Sequence, residues 1–310
     1  MKKFLFLGIA ATAMFASCTN DEMVEMNPQS AIGFETFVDK STRAAKDVTK
    51  ATLTAFEVYG WRTKGLTTEQ IFDAQAVTAN NGVCRYSPLQ YWVGSYNYVF
   101  EAVAPKSGEK GVTVNDIYGA STITFESDSE TDLIYASASK DLSSNAHGTL
   151  ASDPGAVGLT FGHLLSRVKF TFINGAVDGS AAKIAVTDVK ITNAGTTGAY
   201  TNGIWAAATE FGAVTFASTN ITNIQGTKSG ETEHKYLIPY NVKDYSVSFT
   251  VTMTQGSVSD SFDYTVILPD ITLVKGNSYN FKATFNPGKP IVFTAEVSGW
   301  DGGFSDVDIP

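Results

Sequence analysis

Alternation with a period of two runs through most of the chain. In YSVSFTVTMT (245–254), Tyr245, Val247, Phe249, Val251 and Met253 fall on one side; Ser246, Ser248, Thr250, Thr252 and Thr254 fall on the other. Successive strand side chains point to opposite faces, so this segment predicts a strand with one face on a core and one in water. LTAFEVYGW (53–61), YNYVFEAVAP (96–105), STITF (121–125), DLIYASA (132–138), SRVKFTFI (166–173) and KIAVTDVKIT (183–192) read the same way. So do KYLIPY (235–240), SFDYTVILP (261–269), SYNFKATF (278–285) and PIVFTAEVSGW (290–300). Asn81-Gly82, Asn174-Gly175, Asn202-Gly203, Lys275-Gly276-Asn277 and Asn286-Pro287-Gly288 supply the turns between them. The one helical signal is TTEQIFDAQAV (67–77), which predicts a short helix with Ile71 and Phe72 inward, or else a loop.

Many short strands separated by turn residues imply β-sandwiches, and their number exceeds what a single sandwich holds. The expected class is therefore all-β, with two stacked sandwiches. SSNAHGTLASDPGAVG (143–158) is the least strand-like break, small and polar with Pro154. It places the expected boundary near residue 158, giving domains over 51–158 and 159–310 after an N-terminal tether over 18–50.

The N-terminus changes the picture. Lys2 and Lys3 precede an apolar run from Phe4 to Phe15. That run is shorter than the ~20 residues of a membrane-spanning helix and reads as a secretion signal over 1–17. Ala16-Ser17-Cys18 resembles a bacterial lipobox, with Phe15 where leucine is usual. The resemblance implies cleavage before Cys18 and acylation of its thiol, and two buried acyl chains anchor firmly. Thr19 at the next position, then Asp21 and Glu22, resemble the export signals of surface lipoproteins in Gram-negative gut bacteria, which implies an outer-membrane or cell-surface location. Losing residues 1–17 removes two lysines and takes the formal charge from −9 to −11. So acidic a chain lacks the basic footprint of a nucleic-acid binder. Acylated Cys18 leaves only Cys84, hence no intrachain disulfide and no cysteine-based metal site.

Candidate chemistry is sparse. His147, His163 and His234 stand apart, and no HExxH, GxSxG, P-loop or GxGxxG occurs. No catalytic residue, metal site or cofactor is expected, and the chain is read as a non-enzyme. DSETD (128–132) places oxygen ligands at alternate positions but lacks the glycine and distal glutamate of an EF-hand, so it reads as a solvated turn. His163 reads as a structural histidine at a strand or domain junction. Tyr91-Trp92 reads as packing, with stacking on a sugar as the alternative.

YWVGSYNYVFEAVAP (91–105), DLIYASA (132–138), LTFGHLLSRVKFTF (159–172) and LPDITLVKGNSYNF…PIVFTAEVSGW (268–300), in this order, resemble the fimbrillin-like family. Its members are type V pilus subunits of Gram-negative gut and oral bacteria. Trp92-Val93 stands where the family often has Trp-Pro. The resemblance implies two tandem transthyretin-like β-sandwich domains, a role in cell adhesion, and other pilin subunits as partners through strand exchange. It implies that an arginine-specific protease releases an N-terminal strand. Ile32, Phe34 and Val38 would form that strand, and Arg43 in Ser41-Thr42-Arg43-Ala44 would be its cleavage point. The ten residues after Trp300, with Gly302-Gly303, make a short donor strand, which points to an accessory anchor or tip subunit, or to a non-polymerising surface relative, rather than to a shaft subunit. The other partners expected are the outer membrane, through the lipid anchor, and a host protein or glycan. A surface glycan-binding lipoprotein is the alternative function.

Overall fold

The computed structural model describes residues 30–38, 47–118, 121–146, 150, 152–176, 181–216, 224–225, 229–242, 244–286, 289–300 and 305–306. Every regular element among them is a strand, twenty-one in all. The all-β class expected from the alternation is what the chain adopts.

Seven strands close a barrel: β1 (Phe34–Val38), β2 (Ala55–Lys64), β3 (Thr67–Asn80), β4 (Val83–Arg85), β5 (Asn97–Ala104), β8 (Ile134–Asp141) and β9 (Val157–His163). They follow the order β1-β4-β3-β2-β5-β8-β9 and return to β1. The predicted helix over 67–77 is instead the first part of β3. Its first four residues are exposed, because the β2–β3 hairpin runs past the core; Phe72 and Val77 then turn inward. Between them Ala74 takes a φ of +48° and the register to β2 shifts near Gly60, so a bulge breaks the period of two.

A second sheet has the order β18-β17-β11-β7-β6, formed by β6 (Val112–Asn115), β7 (Thr122–Glu126), β11 (Lys183–Thr201), β17 (Ser246–Gln255) and β18 (Val258–Ile267). The short strands β12 (Ile204–Trp205), β13 (Glu210–Thr215) and β14 (Ile224–Gln225) also pair with β11. The third sheet joins β10 (Ser166–Asn174), β15 (Ser229–Glu231), β16 (Lys235–Leu237), β19 (Asn277–Phe285), β20 (Phe293–Gly299) and β21 (Ser305–Asp306).

Three apolar clusters follow from this layout. The barrel interior holds Phe56, Val58, Phe72, Trp92, Phe100, Leu159 and Phe161. The second and third sheets pack as a sandwich, with Phe170, Phe172, Phe281 and Phe293 against Val186, Val247, Phe249 and Val251. Between them lies a third cluster of Tyr59, Trp61, Ile123, Phe125, Leu164, Leu165, Tyr236 and Trp300. It forms because the outward face of β2 is covered by the β6–β7 hairpin, whose other edge pairs with β11 through Thr201↔Thr122 to Thr197↔Glu126. Residue 158 lies inside β9, whose partners β1 and β8 are barrel strands.

Candidate functional site

The barrel closes only because β1 occupies the gap between β9 and β4. It runs parallel to β9 through five register pairs, from Phe34↔Val157 to Val38↔Phe161. Toward β4 the seam is thin: one register pair, Glu35↔Val83, with Thr36 N donating to Gly82 O at 3.2 Å. Upstream, Ile32 N donates to Gln90 O at 2.8 Å, Trp92 N donates to Ser30 O at 3.0 Å, and the Tyr86 hydroxyl donates to Ile32 O at 2.6 Å.

Alternation decides what β1 buries. Ile32, Phe34 and Thr36 point inward, and Phe37 is exposed beneath the Lys50 ammonium. The Phe34 ring meets Phe72 and Phe100 edge-on at 5.5 and 5.7 Å. Val38 packs at the margin of the same core. Ile32, Phe34 and Val38, which the sequence reading grouped, therefore share one face of one segment. Arg43 and Cys18 lie outside the described residues, as does His147.

Nine residues beyond Val38 the chain is pinned again. Asp47 is buried, and its carboxylate receives Arg167 Nη1 at 2.5 Å and the Tyr236 hydroxyl at 2.8 Å. Arg167 also donates to Ser278 Oγ and to the Trp300 carbonyl, both at 2.9 Å, and lies over the Trp300 ring. Val48 N donates to Asp132 Oδ2 at 3.0 Å, an oxygen shared with His163 Nδ1 at 2.9 Å. His163 stacks on Trp300 with centroids 4.2 Å apart. Two carboxylates thus clamp the segment before β2 onto the β9–β10 junction. A buried pair of this kind loses about 3–5 kcal/mol when one partner is removed, because the other charge is left uncompensated. No local spacing reveals the clamp, since Asp47 and Arg167 are 120 residues apart.

The remaining sequence candidates are placed as follows. Asp128 caps its own turn, accepting from the backbone N–H groups of Glu130 and Thr131 at 2.8 and 2.7 Å, while Asp132 turns inward to His163. Trp92 is buried against Tyr98 and Phe100, whereas Tyr91 is 44% exposed, so the two rings form no common platform for a sugar. Cys84 is half-buried, and burial pushes its thiol pKa up, away from nucleophilic use.

Comparison with known proteins agrees with this architecture. A crystal structure of a candidate cell adhesion protein from Bacteroides ovatus superposes with a TM-score of 0.52 at 14% identity, covering 88% of this chain and 98% of that one, which supports the fold. The fimbrium subunit Fim1C of Phocaeicola vulgatus is 26% identical, with 98% of each chain covered. The fimbrillin-like family profile matches residues 42–300, starting just after β1 and ending at Trp300. The match spans most of the chain, which therefore belongs to the fimbrillin-like family.

Proposed function

We propose that this protein is a surface-anchored fimbrial subunit, serving adhesion, in which β1 is a removable strand holding the place of a partner's strand. The observation that carries the reading is the β1 slot. Without β1, the outer edge of β9 loses five backbone pairs, and the inward cluster around Phe72, Phe100 and Phe161 opens to water. An unpaired edge beside an apolar groove is the template for strand addition from another subunit. Burial of Ile32 and Phe34 contributes roughly 3–6 kcal/mol at ~1.5–3 kcal/mol per side chain. A cut strand therefore leaves slowly on its own and quickly when a competing strand arrives.

The flanks support Arg43 as the point of release. Cleavage there falls between β1, held by the barrel, and Asp47, held by Arg167. The downstream chain stays tied to the body at Asp47 while the segment upstream is freed. At the other terminus β21 folds back on β20 through Val297↔Ser305 and Glu296↔Asp306. A C-terminal strand engaged with its own sheet favours an accessory anchor or tip position over a repeating shaft position. Acylation at Cys18 would tether the precursor to the outer membrane, and other pilin subunits are the partners. The barrel and the sandwich act as the two domains of this subunit, which works by assembly and contact and not by catalysis.

Brief digestion with an arginine-specific protease, followed by intact mass measurement and size exclusion, tests this. Wild type should be cut first at Arg43, and on release of the fragment should oligomerise or bind a peptide from a partner's terminal strand. Arg43→Ala should fold normally and do neither. First cleavage at Arg62 or Arg85, or a stable monomer without peptide affinity after cleavage at Arg43, would remove the strand-release role.

A further inference from the structure

The long strand β11 leaves its neighbour partway along. Its pairing with β17 runs from Lys183↔Thr254 to Thr187↔Thr250 and then stops. Asp188 follows with a φ of +56°, a left-handed conformation rare for residues other than glycine and concentrated at functional positions. Thr187 Oγ1 donates to the Asp188 carboxylate at 2.9 Å. Beyond that point the far edge of β11 continues with β13 through Lys190↔Thr215 and Ile191↔Val214. Its near edge meets the start of β17 again through side chains: Thr192 Oγ1 donates to Ser246 O at 3.2 Å, Asn193 Oδ1 accepts from Ser246 N at 2.9 Å, and Asn193 Nδ2 donates to Asp244 O, just before β17, at 2.6 Å.

This fork holds a cleft of about 200 Å³ lined by Asp188, Lys190, Ser248, Thr250, Asp263 and Thr265. Ser248 Oγ is buried there without a hydrogen-bond partner, which is uncommon enough in folded proteins to need an explanation. Lys190 is exposed and has no ion pair among the described residues. Asp263 accepts from Thr250 Oγ1 at 2.7 Å, leaving its second oxygen for an outside donor.

The lining selects its ligand. Two carboxylates repel an anion, and an ammonium beside them disfavours a bare cation; no group of three acidic, histidine or cysteine residues able to hold a metal occurs among the described residues. A hydroxyl both donates and accepts, and so matches carboxylate, ammonium and hydroxyl at once. At ~30 Å³ per water, the cleft has room for about six to seven waters. That is also the room taken by a single sugar ring. We propose that the β11–β17 fork binds one neutral pyranose, with adjacent hydroxyls held by Asp263, Lys190 and Ser248. A sugar ligand of this kind would give the adhesion role its chemical target.

The test is a chemical-shift titration of the full chain with D-galactose, D-glucose, D-mannose and L-fucose, each separately. At least one sugar should move the amides of Asp188, Lys190, Ser248 and Thr265 along saturating curves. Lys190→Ala and Asp263→Asn should each weaken that binding tenfold or more, as expected when a hydrogen bond to a charged group is lost. Unperturbed resonances elsewhere would show that both variants stay folded. No movement at the fork with any of the four sugars, or equal affinity in wild type and both variants, overturns the proposal. The fork lies in the sandwich and β1 in the barrel, so a failed titration leaves strand release standing, and a failed digestion leaves the fork standing.

Discussion

His234 shows how much a single side chain can set. Its ring is mostly buried, its Nε2 has no hydrogen-bond partner, and Arg167 and Lys169 lie close enough to oppose a further positive charge. Burial first, then those two cations, lower its pKa from 6.5 to about 4. The unfolded chain therefore binds a proton that the folded chain refuses. This contribution is fully present above pH 6.5 and is lost as pH falls toward 4, by about 3 kcal/mol at 1.36 kcal/mol per pKa unit. Urea midpoints measured at pH 7 and pH 4.5 should fall more steeply for wild type than for His234→Gln; equal falls would contradict it. At this scale the sequence was partly readable. His163 was expected at a junction and sits on one, but its partners Asp132 and Trp300 come from distant segments and follow no spacing rule. The fork around Asp188 was equally hidden, because where two strands part is a property of how they pair and not of either strand alone.

At the scale of elements, alternation located most long strands and failed where a bulge broke it. Ile71 and Phe72 are consecutive, and Phe72 and Val77, five apart, both face inward, so β3 lacks the alternation that marks a strand. The same irregularity explains Gly60. A Cβ built there would lie 2.7 Å from Phe72 Cδ2 and 3.0 Å from Phe100 Cδ1, inside the packed barrel. Gly60→Ala should destabilise the protein by ~1–3 kcal/mol through overpacking. Thermal unfolding measures this, and an unchanged midpoint would mean that both rings can move aside. Short strands such as β4, β12 and β15 left no periodic signal, since two or three residues cannot show a period. The slot filled by β1 was legible as a segment, from Ile32, Phe34 and Val38, but its parallel pairing with β9 was not.

For the whole molecule, the anchor can be tested apart from the fold. Cys18→Ala keeps the apolar run of the signal and removes the thiol that would be acylated. The variant should move from the membrane fraction to the soluble fraction and lose palmitate labelling; continued labelling would exclude the lipobox reading. The sequence places the expected boundary near residue 158; β9 continues to His163, and the chain leaves the barrel for the last time at Leu164–Leu165, both buried. Chain order also concealed that β6 and β7, which precede β9, hydrogen-bond into the sheet of β11. That pairing has a mechanical consequence. Drawing the barrel away from the sandwich loads the buried peptide at 164–165 together with the five-pair ladder between β7 and β11. Tension between the two halves is shared across a cross-link and does not fall on a bare hinge, so the chain should transmit a pull as one stiff body.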